Sequence, residues 1–411
     1  MARKMKDSGI EWIGEIPEGW SKNKVIRLFD IIGSGTTPKN ITSDFPVVNW
    51  IQSGDITGSF VPACKNVISA NLLSQYSALK VYPAPFIIIA MYGASVGNAS
   101  ISLIDGCVNQ ACCVLSSPSC NLHYAFYVIK SAQSYLVRKA VGGGQPNISQ
   151  ETIKQLWLPL PPLSTQDIIV RNLDATCSKI DDLLTSVHAS IEEYKRLKQA
   201  VITQAVATQQ CSHIKLKYLM NVIVDCPHET PTYSFTGNYY VIRTADQALA
   251  SLRRDEDMYR LDASEYKKRT RRLTLDKDDI VYGREGERWG LACIVPESNK
   301  YCLGQRIMQF RCNTKFLYPK YAMYTLNSEP VYLQGVADTI GSTSPHVNIS
   351  TICNYLLPVP ALTEQKEIAD YLDAKCAEID GLIAKKEQLV KELESYKKSL
   401  IYEVVTGKRK V

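Results

Sequence analysis

No stretch of this 411-residue chain stays apolar over the roughly 20 residues that a membrane-spanning helix needs. The longest candidate, Phe86-Ile-Ile-Ile-Ala-Met91, has the length of a strand. The basic start, Met-Ala-Arg-Lys-Met-Lys-Asp, has no apolar segment behind it, so no secretory signal is expected. Histidine is scarce, with five residues dispersed at no metal-binding spacing. The phosphate-cradling pattern Gly-x-x-x-x-Gly-Lys-Ser/Thr is missing. So is any tetrapeptide like the Asn-Pro-Pro-Phe or Asp-Pro-Pro-Tyr of amino-methyltransferases. Pro159-Leu-Pro-Pro162 comes nearest and lacks both amide and aromatic ring. Glu297-Ser-Asn-Lys300 pairs an acid with a base, as surface turns commonly do, and does not make a nuclease centre. These absences argue against catalysis by the chain itself, with no catalytic, cofactor-binding or metal-binding residue expected in it.

Cysteine is plentiful at 13 residues, but none stands in a Cys-x-x-Cys pair. Cys226-Pro-His228 is the nearest thing to a ligand pair and falls short of zinc spacing. Reduced, buried thiols in a cytoplasmic protein are the expectation. The net charge of +6 and pI of about 8.5 permit nucleic acid as a partner without requiring it.

What the chain does contain, it contains twice. Leu158-Pro-Leu-Pro-Pro-Leu-Ser-Thr-Gln166 returns as Leu357-Pro-Val-Pro-Ala-Leu-Thr-Glu-Gln365. Leu173-Asp-Ala-Thr-Cys-Ser-Lys-Ile-Asp181 returns as Leu372-Asp-Ala-Lys-Cys-Ala-Glu-Ile-Asp380. Both pairs are offset by about 199 residues, too far for a solenoid repeat, so a whole module is duplicated. Weaker echoes lie between: Tyr92-Gly93 with Tyr282-Gly283, Asn109-Gln110 with Gly304-Gln305, Asp55 with Asp246, and Asn147-Ile-Ser149 with Asn348-Ile-Ser350.

The pattern predicts an α+β protein. Two strand-rich α/β domains, residues 1–162 and 210–361, carry short β-branched runs between Gly, Ser and Pro clusters. A helix is expected at Leu122–Val141. Residues 163–209 and 362–411 read as two long helices, the second with a basic tail. Proline and glycine are absent from 164–208. Ile180, Leu183 or Leu184, Val187, Ile191, Tyr194, Val201 and Ala205 form a seam at spacings of three and four. Ile379, Leu382, Leu389 or Val390, Leu393, Tyr396, Leu400 and Val404 form the other. Ser164-Thr-Gln-Asp167 fits a capping box. A 45-residue helix is roughly 65–70 Å long, and a break near Cys177 would still leave the seam beyond it. Each seam has the other as its partner, predicting an antiparallel coiled coil that spaces the two domains.

This order of parts resembles the specificity subunit of type I restriction–modification systems, across essentially the whole chain. Ile16-Pro-Glu-Gly-Trp20 looks like the family's N-terminal signature, the two Leu-Pro…Gln stretches like its entry into each conserved helix, and Val404-Val-Thr-Gly407 like its helix end. Gly93-Ala-Ser-Val-Gly97, Asn109-Gln-Ala111 and Leu303-Gly-Gln-Arg306 are typical of its target domains. Ala207-Thr-Gln209 replaces the Thr-Gly ending in the first helix. The resemblance implies a non-catalytic subunit that recognises an interrupted double-stranded DNA sequence. It also implies two docked methyltransferase subunits that bind S-adenosylmethionine, and restriction subunits that use ATP and Mg. The rival readings are a non-DNA scaffold on a helical hairpin and a self-sufficient DNA-modifying enzyme.

Residue types that suit DNA cluster in several places. Lys267, Lys268, Arg269, Arg271 and Arg272 pack five cations into a short stretch suited to phosphate contact, diluted by Asp255-Glu-Asp257. In Tyr282-Gly-Arg-Glu-Gly-Glu-Arg-Trp289, glycines allow close backbone approach, Arg284 and Arg288 can fork onto guanine, and Glu285 can accept from cytosine. Gln305, Arg306, Arg243 and Thr244 are similar candidates. In the first domain, Ser34, Thr36, Thr37 and Lys39 form a polar Gly-rich loop. Asn109 and Gln110 suit adenine edges, and Gln145 and Asn147 follow a triple-glycine turn.

Overall fold

A computed structural model describes residues 4–39, 41–142, 146–207, 211–339 and 345–411. The chain divides into two compact units, Met1–Ser186 with Leu389–Val411, and Val187–Gln388.

In the first unit a five-stranded sheet is ordered Phe29–Gly33, Cys112–Pro118, Phe86–Ala90, Ala99–Ser102, Phe60–Val61. The last pair is parallel and the others antiparallel. The apolar run at 86–90 is apolar because both faces of that strand are covered. Side chains alternate across a strand, so Ile87 and Ile89 enter the core that holds helix Leu122–Ser131. Phe86, Ile88 and Ala90 enter a second core with Tyr82, Val108 and Val114. The helix expected over 122–141 ends at Ser131, and a second runs from Gln133 to Arg138. The interruption is at Ala132, whose N–H is shared by the Val128 and Ile129 carbonyls in a tightened last turn. A smaller sheet pairs Val47–Ile51 in parallel with Cys107–Val108 and antiparallel with Val67–Ser69.

The second unit repeats this plan. Its larger sheet is ordered Met220–Asp225, Ile307–Cys312, Ile280–Gly283, Ala292–Ile294, all antiparallel. Its smaller sheet sets Tyr239–Ile242 between Tyr259–Leu261 and Tyr301–Leu303. Ile280 and Tyr282 face the core under helix Pro319–Leu326, while Val281 faces the other.

The long helices run unbroken over Leu163–Ala207 and Leu362–Val405. The first unit holds residues 163–186 of one and 389–405 of the other; the second holds the remainder. Within each unit the two segments are antiparallel, as the seams predict. In the first, Tyr124 Oη bonds the carbonyl of Pro159, before one helix begins, and that of Val405, where the other ends. In the second, Lys198 meets Asp380 and Tyr194 meets Lys386. Two details differ from the sequence reading, the helix cap and Tyr396, and the choices left open at Leu183 or Leu184 and at Leu389 or Val390 are settled. Helix one begins at Leu163, so Ser164 lies inside the first turn and does not cap it. Tyr396 and Leu183 face outward, and Lys397 and Leu184 stand in the seam. Val390 is the buried member of its pair.

The duplicated motifs are duplicated contacts. Gln166 is buried; its Nε2 donates to Pro161 O at 2.9 Å and its Oε1 accepts from Asn121 N at 2.9 Å. Gln365 repeats this with Pro360 O at 2.9 Å and Tyr318 N at 2.8 Å. Each glutamine thereby ties the start of a long helix to the start of the helix packed on the sheet. Tyr127 Oη donates to Asp174 at 2.6 Å and Tyr324 Oη to Asp373 at 2.8 Å. Asp181 pairs with Lys397 at 2.6 Å, and Asp380 with the buried Lys198 at 2.8 Å.

Candidate nucleic-acid interface

Strand direction decides what gathers at each sheet end. In the first unit the ends of Phe29–Gly33 and Phe86–Ala90 and the start of Cys112–Pro118 lie at one edge, because the middle strand is antiparallel to both. The loops beyond them, 34–39, 91–97 and 109–111, are therefore neighbours, and residues 146–148 join them. Gly93 N donates to Pro146 O at 3.0 Å and Ile148 N to Met91 O at 2.9 Å.

The structure thus brings the first-domain candidates together. Ser34 Oγ donates to Cys112 O at 2.7 Å, fixing the loop on the sheet. The exposed Thr37 donates to the Gln110 amide oxygen at 2.7 Å. Lys39 is exposed, with its backbone N–H on Tyr76 Oη, and Thr36 is half-buried. Asn109 Oδ1 accepts from Ala111 N at 3.1 Å, which shapes the loop. Asn147 is exposed and bonded through its backbone to Val141. Gln145 lies outside the described residues.

The second unit builds the same edge bond for bond. Gly286 N donates to Pro345 O, Val347 N to Arg284 O, Arg284 N to Arg306 O and Gly290 N to Gly283 O. The first unit has Gly93 to Pro146, Ile148 to Met91, Met91 to Ala111 and Gly97 to Ala90. These bonds set the correspondence: residues 90–97 match 283–290, 109–111 match 304–306, and 146–149 match 345–348. The Asn109/Gly304 echo therefore holds, since both N–H groups bond the last residue of the neighbouring strand, Ile51 and Ile242. Asp55 and Asp246 also match, each closing a capping box on Gln52 and Arg243. Two echoes were misregistered. Gly93 matches Gly286 rather than Gly283; both stand at positive φ, +74° and +82°, where a glycine is needed. Asn147 matches His346 rather than Asn348.

The second-unit candidates separate into two groups. Several cations are committed internally. Arg284, 8 % exposed, forks onto Asp225 with Nε–Oδ1 at 3.0 Å and Nη2–Oδ2 at 3.2 Å, and also meets Glu285 at 2.8 Å. Arg269 is buried and donates to the Leu303, Glu229 and Pro227 carbonyls, so one of the five clustered cations faces inward. Arg243 forks onto the buried Asp246 and stacks over Tyr259 at 3.8 Å. The Asp246 hydrogen bond raises the Arg243 guanidinium above its usual pKa. Arg288 donates to the Ala245 and Gln247 carbonyls. Thr244 is half-buried beside Arg243. Other groups face out. Lys267, Arg271 and Arg272 are exposed, and Lys268 is exposed with Glu229 at 2.8 Å. Gln305 is held through its amide on His228 O at 3.3 Å, and Arg306 projects beside Glu285.

Sequence reasoning missed Asp225, which organises the edge, and weighed His228, at 3.1 Å from it, only as a metal ligand. Only the distant register could have found Asp225. Cys226, read as a near-ligand, is buried; burial pushes its thiol pKa up, and its Sγ accepts from Arg306 N at 3.1 Å. Each unit also carries one very exposed phenylalanine, Phe45 and Phe235, just before the Val47 and Tyr239 strands.

Two copies of one sheet-edge module, differing in side chains on a shared backbone, define a duplicated α+β protein. The sequence model described as the type I restriction modification DNA specificity domain matches residues 17–193 and 226–392, and the chain belongs to that family: it is a non-catalytic, DNA-target-recognising specificity subunit of the type I class. It is 23 % identical to the type I restriction enzyme MjaVIII specificity subunit of Methanocaldococcus jannaschii over 70 % of each chain. It is 23 % identical to the StySPI specificity subunit of Salmonella potsdam, over 96 % of this chain and 90 % of that one. A solved structure from a study of complex assembly and conformational transition of a type I system has the same fold, with TM-score 0.70 and 16 % identity over 95 % of this chain and 98 % of that one. No helix among the described residues is long and apolar enough to cross a membrane.

Proposed function

We propose that each unit reads one half of an asymmetric two-part DNA target with the loops at its larger sheet's edge, and that the paired long helices set the unread gap. The observation that carries this reading is the bond-for-bond repetition of the edge with different side chains: one scaffold, two readouts. Two readers at a fixed separation select half-sites at a fixed spacing. Lys267, Lys268, Arg271 and Arg272 supply phosphate contact, while Thr37, Lys39, Asn109, Gln110, Asn147, Gln305 and Arg306 face the duplex. Arg284, Arg269 and Arg243 shape the loops. The chain docks two methyltransferase subunits and, through them, restriction subunits; S-adenosylmethionine, ATP and Mg enter with those partners in the cytoplasm.

The test is methylation-sensitive sequencing of DNA from cells expressing the methyltransferase subunits with and without this chain. Methylated adenines in a two-part asymmetric motif, present only with the chain, are the expected result. Removing one heptad from both helices should alter the gap and leave both half-sites intact; altered half-sites would contradict the spacing role.

A further inference from the structure

Resting on the reading that these sheet edges face DNA, we propose that Arg306 reads a guanine in the second unit's half-site, with Glu285 and Arg284 as positioning residues. Arg306 sits at φ +67°, a left-handed conformation that a side-chain-bearing residue adopts at a cost. Two backbone bonds hold it there: its N–H donates to Cys226 Sγ and its carbonyl accepts from Arg284 N at 3.0 Å. The conformation sends the side chain out over Gly286, with Nη1 3.5 Å from where a Cβ on that glycine would stand. The side chain is 54 % exposed. Its charge neighbour among the described residues is Glu285 at 3.9 Å, beyond hydrogen-bond range. Among the described residues the fork makes no hydrogen bond, unlike those of Arg243, Arg269 and Arg284.

Glu285 cannot follow it, because Arg284 holds the other carboxylate oxygen at 2.8 Å and is itself forked on Asp225. A fixed acid thus biases a free guanidinium toward one direction. Guanine presents O6 and N7 as paired acceptors in the major groove, whereas adenine replaces O6 with an amino donor. A cationic fork with five donors and no acceptor therefore selects guanine. At the matching positions the first unit has Ala111 for Arg306, Tyr92 for Glu285 and Met91 for Arg284; and since Gly33 pairs with Val114 as Val224 pairs with Gln309, it has Ser34 for Asp225. It has neither the cation nor the acids that aim it, so the two half-sites differ here: a G·C pair read by charge in one, with no such readout in the other.

The experiment maps the motif methylated by the full-length chain with its methyltransferase subunits, for the unaltered protein, Arg306→Lys and Glu285→Gln. Lysine keeps the charge and loses the fork. Guanine preference at one position of one half-site should fall about 10-fold in Arg306→Lys. It should fall less in Glu285→Gln, with the other half-site unchanged as the folding control. An Arg306→Lys motif identical to the unaltered one, a change in both halves, or loss of the whole motif would overturn the assignment. An unaltered protein that yields no two-part motif would instead overturn the reading beneath it.

Discussion

The two sheet edges have one backbone and opposite chemistry. The first is nearly neutral: a hydroxyl on a carbonyl, a threonine on a glutamine, a methionine and an alanine where its counterpart has arginines. The second is a ladder of alternating charge, Asp225–Arg284–Glu285–Arg306. Both hold their loops with matching backbone bonds. Backbone bonds and a positive-φ glycine therefore make the loop, and the side chains remain open to change.

The largest effect should come from breaking the ladder at its buried rung. Arg284→Met installs the first unit's residue and strips Asp225, 16 % exposed, of its fork. A loss of about 3 kcal/mol in urea unfolding is expected, since an uncompensated buried charge is costly. Adding Asp225→Ser, which installs the equivalent of Ser34, should recover most of that loss but not recognition of the second half-site. If the double substitution were as unstable as the single, the match between the two edges would be wrong.

The buried glutamines sharpen the other side of the comparison, where the units agree. Gln166→Ala and Gln365→Ala each orphan a backbone N–H and should each cost about 1–3 kcal/mol. A large difference between them would show that the shared geometry is not shared energetically. The helix pairs predict a smaller inequality. Lys198 is 5 % exposed and also donates to Leu249 O, while Lys397 is 17 % exposed. Lys198→Ala should cost about 1–2 kcal/mol and Lys397→Ala less than about 1 kcal/mol, by unfolding. The mildest change is alanine at Lys267, Arg271 and Arg272 together. It should leave the motif intact and lower the dependence of log affinity on log salt by up to about 3, if each neutralises one phosphate.

Much of this was legible in the chain. Long strings repeated at a fixed offset announced the duplication, and the seams announced antiparallel helices. Short strings misled. Tyr-Gly and Asn-Ile-Ser recur by chance, and the true register is fixed by bonds to segments some 60 residues away, such as Gly286 to Pro345. Charge clusters misled in the same way. Arg269 looks like its neighbours in sequence, but its helix turns it inward onto carbonyls. A seam read as apolar passed over Lys198, which is buried because Asp380 meets its amine.

The most direct test of the account is to graft the first unit's edge onto the second, replacing residues 284–290 by the sequence of 91–97 together with Asp225→Ser, and to sequence the methylated motif. The account predicts that one half-site changes while the other half and the gap stay as they were. A motif unaltered in both halves, or altered in both, would contradict it.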